Sequence, residues 1–181
     1  MANWSAVARR IRVPMGFVFA AVYLWLAKPT IAFILSGSAL VALGLTVRGS
    51  ASGHVQKNEQ LTTSGPYAHT RNPLYLGSLI LAVGFAIAGH SWWIGVAVIL
   101  MFVSIYLPVI LAEEAFLRER FPAFEEYAQR VPRLLPRLHS FGNTPGQFSW
   151  GLYCKHREYN ATVGSLAMLA ALMAKALWFP R

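Results

Sequence analysis

The chain has 181 residues, a formal charge of +9 and a pI of about 10.2; 56% of its residues are hydrophobic and only 13% charged, with a mean hydropathy of +0.45. Soluble domains carry about a quarter of their residues as Asp, Glu, Lys and Arg, and a nucleic-acid-binding protein would not carry this much apolar sequence; an integral membrane protein facing an anionic leaflet explains both the hydropathy and the charge. The single cysteine, Cys154, excludes an intramolecular disulfide and a multi-cysteine metal site and reads as structural.

Charges punctuate the spans. Arg9, Arg10 and Arg12 precede Val13 to Ala27, fifteen uncharged residues with no convincing small-residue cleavage site, which read as a retained span rather than a signal peptide. At about 1.5 Å per residue this stretch is short for a hydrocarbon core of about 30 Å and crosses only with help from its flanks or local thinning. After Lys28-Pro29, the segment Pro29 to Val47 gives a second span, in which Ser36, Gly37, Ser38 and Gly44 suit close helix contact; the two form a helical hairpin. Arg48 to Arg71 is polar and Gly/Ser-rich, a loop or re-entrant segment. No Asp, Glu, Lys or Arg then occurs over the 41 residues between Arg71 and Glu113, room for two crossings of about 20 residues each. His90, Ser91 and the Trp92-Trp93 pair place a turn at an interface, predicting spans near Leu74 to Ala88 and Trp93 to Ala112.

Glu113 to Arg130 is charged yet helical in pattern. Leu117, Phe121, Phe124, Ala128 and Val131 mark an apolar face, Glu114/Arg118 and Glu126/Arg130 are favourable i,i+4 pairs, and Pro122 kinks or divides the helix. It reads as a helix leaving the bilayer to lie on its surface, ended by Val131 to Pro136. Arg137 to Glu158 is a mixed loop, and Ala161 to Phe179 a last apolar segment with Lys175 close enough to its end to snorkel. Thirteen of the sixteen Lys and Arg fall on one side of this arrangement, which places the N-terminus in the cytoplasm. The expected fold is an all-α integral membrane bundle, residues 1–181 as a single domain, with about five transmembrane helices and a cytoplasmic amphipathic helix.

Chemistry concentrates in GPYAHTRNPLYLG, Gly65 to Gly77. Ser64-Gly65-Pro66 signals a turn, Asn72-Pro73 biases Asn72 away from helical geometry, and Pro73 starts the next helix. A helix N-terminus offers free N–H donors and partial positive charge, and Tyr67, His69, Arg71, Asn72 and Tyr75 crowd around this one. Glu113 and Glu114 end a span on the same side. The set fits a ligand that is aromatic, anionic at one end and cationic elsewhere, S-adenosylmethionine among others; interfacial anchoring by Tyr and Arg, and a solvated helix end for the glutamates, explain the same residues. His54, His90, His139 and His156 lack metal-ligand spacing and read as structural or solvent-facing, and no Walker, GxGxxG, GxSxG or HExxH sequence occurs.

LTTSGPYAHTRNPLYLG, the Glu113-Glu114 pair with Leu117, and FPAFEEYAQRVPRLLP together resemble the integral-membrane methyltransferases, a group that includes isoprenylcysteine carboxyl methyltransferases and phospholipid N-methyltransferases. The resemblance runs from about residue 53 to 136. It implies S-adenosylmethionine held at the cytoplasmic face, with Gln60, Leu61, Thr62, Tyr67 and the Asn72-Pro73-Leu74-Tyr75 stretch along the cofactor and His69 and Arg71 beside them. It implies that Glu113 faces the cofactor's cationic part, that Arg130 and Arg133 close the pocket or meet the substrate's polar end, and that a lipophilic substrate enters from the bilayer. No metal, nucleic acid or protein partner is required. Asn72 stands where the family often has His and cannot carry a full charge near neutral pH; Val109 stands where the prenylcysteine enzymes have a substrate-contacting Arg; Phe121 to Tyr127 is one residue shorter than usual. The segment from Ala161 to Phe179 lies outside the resemblance and is assigned packing or substrate access.

Methyl transfer is an in-line displacement in which the protein aligns nucleophile and methyl group and excludes water. A carboxylate acceptor needs no base, a protonated amine does, and Glu114 and His69 are the candidates for that role. The alternatives are a membrane reductase related to the sterol reductases and a non-catalytic membrane scaffold.

Overall fold

The computed structural model describes residues 16–56, 60–142 and 146–179. Arg9, Arg10, Arg12 and the start of the first expected span lie outside the described residues. Within them every regular element is helical. In chain order these are α1 (Gly16–Leu26), α2 (Ile31–Ser52), a 3-10 turn (Gly65–Ala68), α3 (Pro73–Ala88), α4 (Trp92–Met101), a π-helical turn (Phe102–Tyr106), α5 (Leu107–Arg120), α6 (Phe124–Arg130), α7 (Trp150–Lys155) and α8 (Tyr159–Trp178). Among the described residues, three helices are long and apolar enough to cross a membrane: α2, the continuous rod Trp92–Arg120, and α8; α1 and α3 are shorter apolar helices. The protein is a membrane helical bundle.

The breaks follow from local chemistry. Thr30 is extended before α2, Pro73 opens α3 behind a non-helical Asn72, and His90 closes the α3–α4 turn at φ 46°, stacked on Phe33. Pro108 has no N–H for the carbonyl one turn back and its ring crowds that carbonyl, and the π-helical turn sits immediately before it, letting the rod continue instead of breaking. At Pro122 the chain does break: Phe121 is extended, and α6 starts afresh at Phe124.

The bundle is keyed by α2 against α3. Gly37 and Gly44 on α2, and Gly77 and Gly84 on α3, are each seven residues apart, two turns along one face. They meet reciprocally. A Cβ on Gly44 would lie 2.7 Å from the Gly77 carbonyl oxygen, and one on Gly84 would lie 2.8 Å from the Gly37 carbonyl oxygen. The backbones therefore touch, as small-residue membrane contacts allow. At the far end of the bundle a core of Tyr23, Ala27, Ile34, Ala88, Ile94, Val98 and Leu172 joins α1, α2, α3, α4 and α8. Lys175 Nζ donates to the Leu24 carbonyl at 2.5 Å, tying α8 to the last turn of α1.

Three expectations need correction. Arg48 to Ser52 is not loop but the end of α2, because Arg48 finds a buried carboxylate partner there. The mixed loop before Glu158 contains the short helix α7, capped by the Ser149 side chain accepting from the Leu152 amide. Arg118 pairs with Glu125 at 2.8 Å, not with Glu114, which turns inward.

Candidate functional site

Gly65 adopts φ 59°, a left-handed conformation that favours glycine, and starts the 3-10 turn that carries Tyr67. From there to Asn72 the chain is held by the strap that follows α6. The Arg71 amide donates to the Pro132 carbonyl at 3.0 Å, the Arg137 amide to His69 at 2.9 Å, and the Phe141 amide to Ala68 at 2.9 Å. The Tyr127 hydroxyl donates to the Tyr67 carbonyl at 2.6 Å, and Phe124, Tyr127 and Val131 are buried beneath. Backbone pairing and an aromatic wedge thus fix the motif's geometry against α6. Burial holds the Tyr67 and Tyr127 phenols well above the ordinary tyrosine value, so both are neutral donors.

Behind the motif sits a charge cluster. Glu114 is 4% exposed and accepts from Asn72 Nδ2 at 2.9 Å and from Arg133 Nε at 3.0 Å, while Arg71 Nε lies 3.5 Å away as an ion pair. Asn72 Nδ2 also donates to the Arg133 carbonyl at 3.1 Å. One buried carboxylate therefore joins the start of α3, the middle of α5 and the strap.

In front of the motif opens a cavity of about 1360 Å³. Of the residues expected at the site, Gln60, Leu61, Thr62, Tyr67, Arg71, Asn72, Leu74, Tyr75 and Glu113 line it. The Tyr75 hydroxyl donates to Glu113 Oε1 at 2.9 Å, joining the first turn of α3 to α5 across 38 residues of sequence. Tyr75 also packs edge-on against Tyr106, which the π-helical turn carries to the cavity wall beside Phe116. Five expected residues do not line the cavity. Glu114 is committed to the cluster just described; Pro73 is buried at the helix start; His69 Nδ1 faces the Arg137 carbonyl at 2.9 Å; Arg130 pairs on the surface with Glu126 at 3.2 Å; and Arg133 serves Glu114. Arg48, Ser52, Ser78, His156 and Glu158 line the cavity and were not anticipated. They come from α2, α3 and the α7–α8 turn, and no local sequence pattern tied them to the motif.

The phospholipid methyltransferase family profile matches residues 22–123, which takes in α2 through α5 and so the Tyr75–Glu113 contact. Among curated proteins, the cobalt-zinc-cadmium resistance protein CzcN of Cupriavidus metallidurans is 35% identical over 105 residues, 58% of this chain and 47% of that protein. The nickel-cobalt-cadmium resistance protein NccN of Alcaligenes xylosoxydans xylosoxydans is 36% identical over 86 residues, 48% of this chain and 40% of its own. Protein-S-isoprenylcysteine O-methyltransferase of Schizosaccharomyces pombe is 29% identical over 105 residues, 58% of this chain and 44% of its own. Each match thus spans under half the relative's length. No solved structure matches the chain significantly. Matched over more than half its length, with the paired helix start and glutamate inside the matched segment, the chain belongs to the phospholipid methyltransferase family of membrane proteins.

Proposed function

We propose that this protein is an S-adenosylmethionine-dependent methyltransferase acting on a lipophilic, membrane-resident acceptor at the cytoplasmic face. The observation that carries the reading is the Tyr75–Glu113 hydrogen bond inside a cavity large enough for a nucleoside and an acyl chain together. The lining chemistry fits the donor. Glu113 is a carboxylate for a sulfonium, held in place by a neutral phenol; Tyr67, Tyr106 and Phe116 offer ring faces to a base. Gln60 and Thr62 suit ribose hydroxyls. Arg71 lines the cavity with its charge balanced by Glu114, 3.5 Å from its Nε.

When bound, the cofactor supplies an electrophilic methyl group on a positively charged sulfur. The chain's own residues do the rest. Glu113 balances the positive charge, the apolar walls of α3 and α5 exclude water, and the Glu114 cluster fixes Arg71 and Asn72 from behind. Glu114 is therefore a positioning residue, and His69 is occupied by the strap. The cytoplasmic side is the reading that the sequence supports, in which thirteen of the sixteen lysines and arginines fall on one side of the expected spans.

Calorimetric titration of the folded, detergent-purified protein tests the assignment. Glu113→Ala and Tyr75→Ala weaken S-adenosylmethionine binding by about tenfold or more, the equivalent of one charge-assisted hydrogen bond, with thermal unfolding little changed. Unchanged affinity in both variants removes the site. Incubation with methyl-labelled cofactor and total membrane lipids then identifies the acceptor.

A further inference from the structure

The chain beyond residue 123 lies outside the family match, yet the α7–α8 turn brings two side chains to the same cavity. Arg157 adopts φ 53°, a left-handed conformation costly for a residue with a side chain. The resulting reversal lets both neighbours, His156 and Glu158, face the cavity. Glu158 binds Arg48 through both oxygens, Nε to Oε1 at 2.5 Å and Nη2 to Oε2 at 3.1 Å, and Arg48 Nη1 donates to the Ser78 hydroxyl. Gly77, the last residue of the motif, makes room for this arginine: a Cβ there would lie 2.6 Å from Arg48 Cγ. The ion pair is thus closed on itself. The cation at this end of the cavity is spent, and so is the carboxylate.

His156 is the exception. Its Nδ1 lies 3.1 Å from the Ser52 carbonyl oxygen, which can only accept. Nδ1 therefore carries a hydrogen, and in the neutral form of the ring the lone pair is on Nε2. The wider balance of charge points the same way. Among the described residues, Glu113, Glu119 and Glu158 line the cavity against two arginines, Arg48 and Arg71, and both arginines are ion-paired to buried glutamates. Among the described residues a carboxylate head group would find no uncommitted cation at this end; a head group with a proton to lose finds a base.

We propose that the α7–α8 turn forms the acceptor end of the cavity and that His156 Nε2 takes the proton from an acceptor bearing an N–H, S–H or O–H group. This rests on the methyltransferase reading above. The acceptor's lone pair forms the new bond to the methyl carbon, the carbon–sulfur bond breaks with its electron pair remaining on sulfur as a neutral thioether, and the acceptor's proton passes to Nε2. The imidazolium returns that proton to water between turnovers.

The test uses the full chain in detergent as wild type, His156→Asn and His156→Ala. Asparagine keeps an amide donor for the Ser52 carbonyl and loses the base; alanine loses both. Calorimetry is expected to show S-adenosylmethionine binding retained in both variants, while single-turnover transfer of labelled methyl to total membrane lipids falls by about a hundredfold or more in both. Nitrogen-15 NMR of histidine-labelled protein, with the His156 signals assigned by their loss in the asparagine variant, is expected to show the Nδ1-protonated tautomer. Full transfer activity in the asparagine variant reduces His156 to a packing role and overturns the proposal. So does an Nε2-protonated ring, label found only in carboxylate methyl esters, or no labelled lipid despite cofactor binding. If the wild type does not bind S-adenosylmethionine, the functional reading itself falls and takes this one with it.

Discussion

Glu114 shows how far a residue's neighbours in space can override its neighbours in sequence. The i,i+4 spacing offered Arg118, worth a few tenths of a kcal/mol on an exposed helix. Burial offered Arg71, Arg133 and Asn72, and an unpaired carboxylate at 4% exposure would be far more costly than losing a surface pair. Glu114→Ala leaves Arg71, with a side chain 11% exposed, short of its counter-charge. The expected loss is about 3–5 kcal/mol, read as a large drop in thermal unfolding temperature, with Glu114→Gln intermediate because it keeps the hydrogen-bonding shape. Tyr67 and Tyr127 make a second prediction. Burial raises both phenols, so the folded state holds their protons when the unfolded chain has already lost them. Stability is then full below the unfolded value near 10 and falls as pH climbs from there towards the folded values. An absorbance titration should show these two tyrosines ionising only with unfolding, and Tyr127→Phe should remove part of the alkaline loss.

At the level of elements, the helix ends were legible where proline or a charge marked them: Lys28-Pro29, Asn72-Pro73 and Pro122 all fall at breaks. Gly37 and Gly44 were legible as contact residues because small residues in an apolar helix have few other uses. The end of α2, the π-helical turn and α7 were not, since each depends on a partner that local pattern does not reveal. For α2 that partner is Glu158, 110 residues away. The α2–α3 contact gives a direct test. Gly44→Ala places a methyl 2.7 Å from the Gly77 carbonyl oxygen and the Leu81 amide nitrogen, so the helices must part. A loss of about 1–3 kcal/mol is expected in denaturant unfolding. Gly164→Ala in α8, where nothing lies within 4 Å, should be neutral or stabilising by up to about 1 kcal/mol.

Over the whole molecule, the bundle and the meeting of α3 with α5 were foreseeable from charge distribution, because segments on the same side of a bilayer have little room to avoid each other. The α7–α8 turn's share in the cavity was not, because that stretch reads as loop when Arg48 is assigned to loop as well. Cys154, exposed on α7 and the chain's only cysteine, reports the orientation without any substitution. A membrane-impermeant maleimide should label it in inverted vesicles and leave it unlabelled in intact cells; the reverse pattern would put the cavity on the other face. The rod from Trp92 to Arg120 has a further consequence. Its 29 residues span roughly 43 Å, and Glu113 stands roughly 32 Å along it from the Trp92 end, about one hydrocarbon thickness. With the tryptophan pair in one headgroup layer, the glutamate stands level with the other. On the proposed methyltransferase reading, an acceptor lipid would then reach the cavity by diffusing sideways within its leaflet. Turnover should accordingly follow the acceptor's mole fraction in the bilayer rather than its bulk concentration, and diluting it with inert lipid should slow the reaction even when the total amount is unchanged.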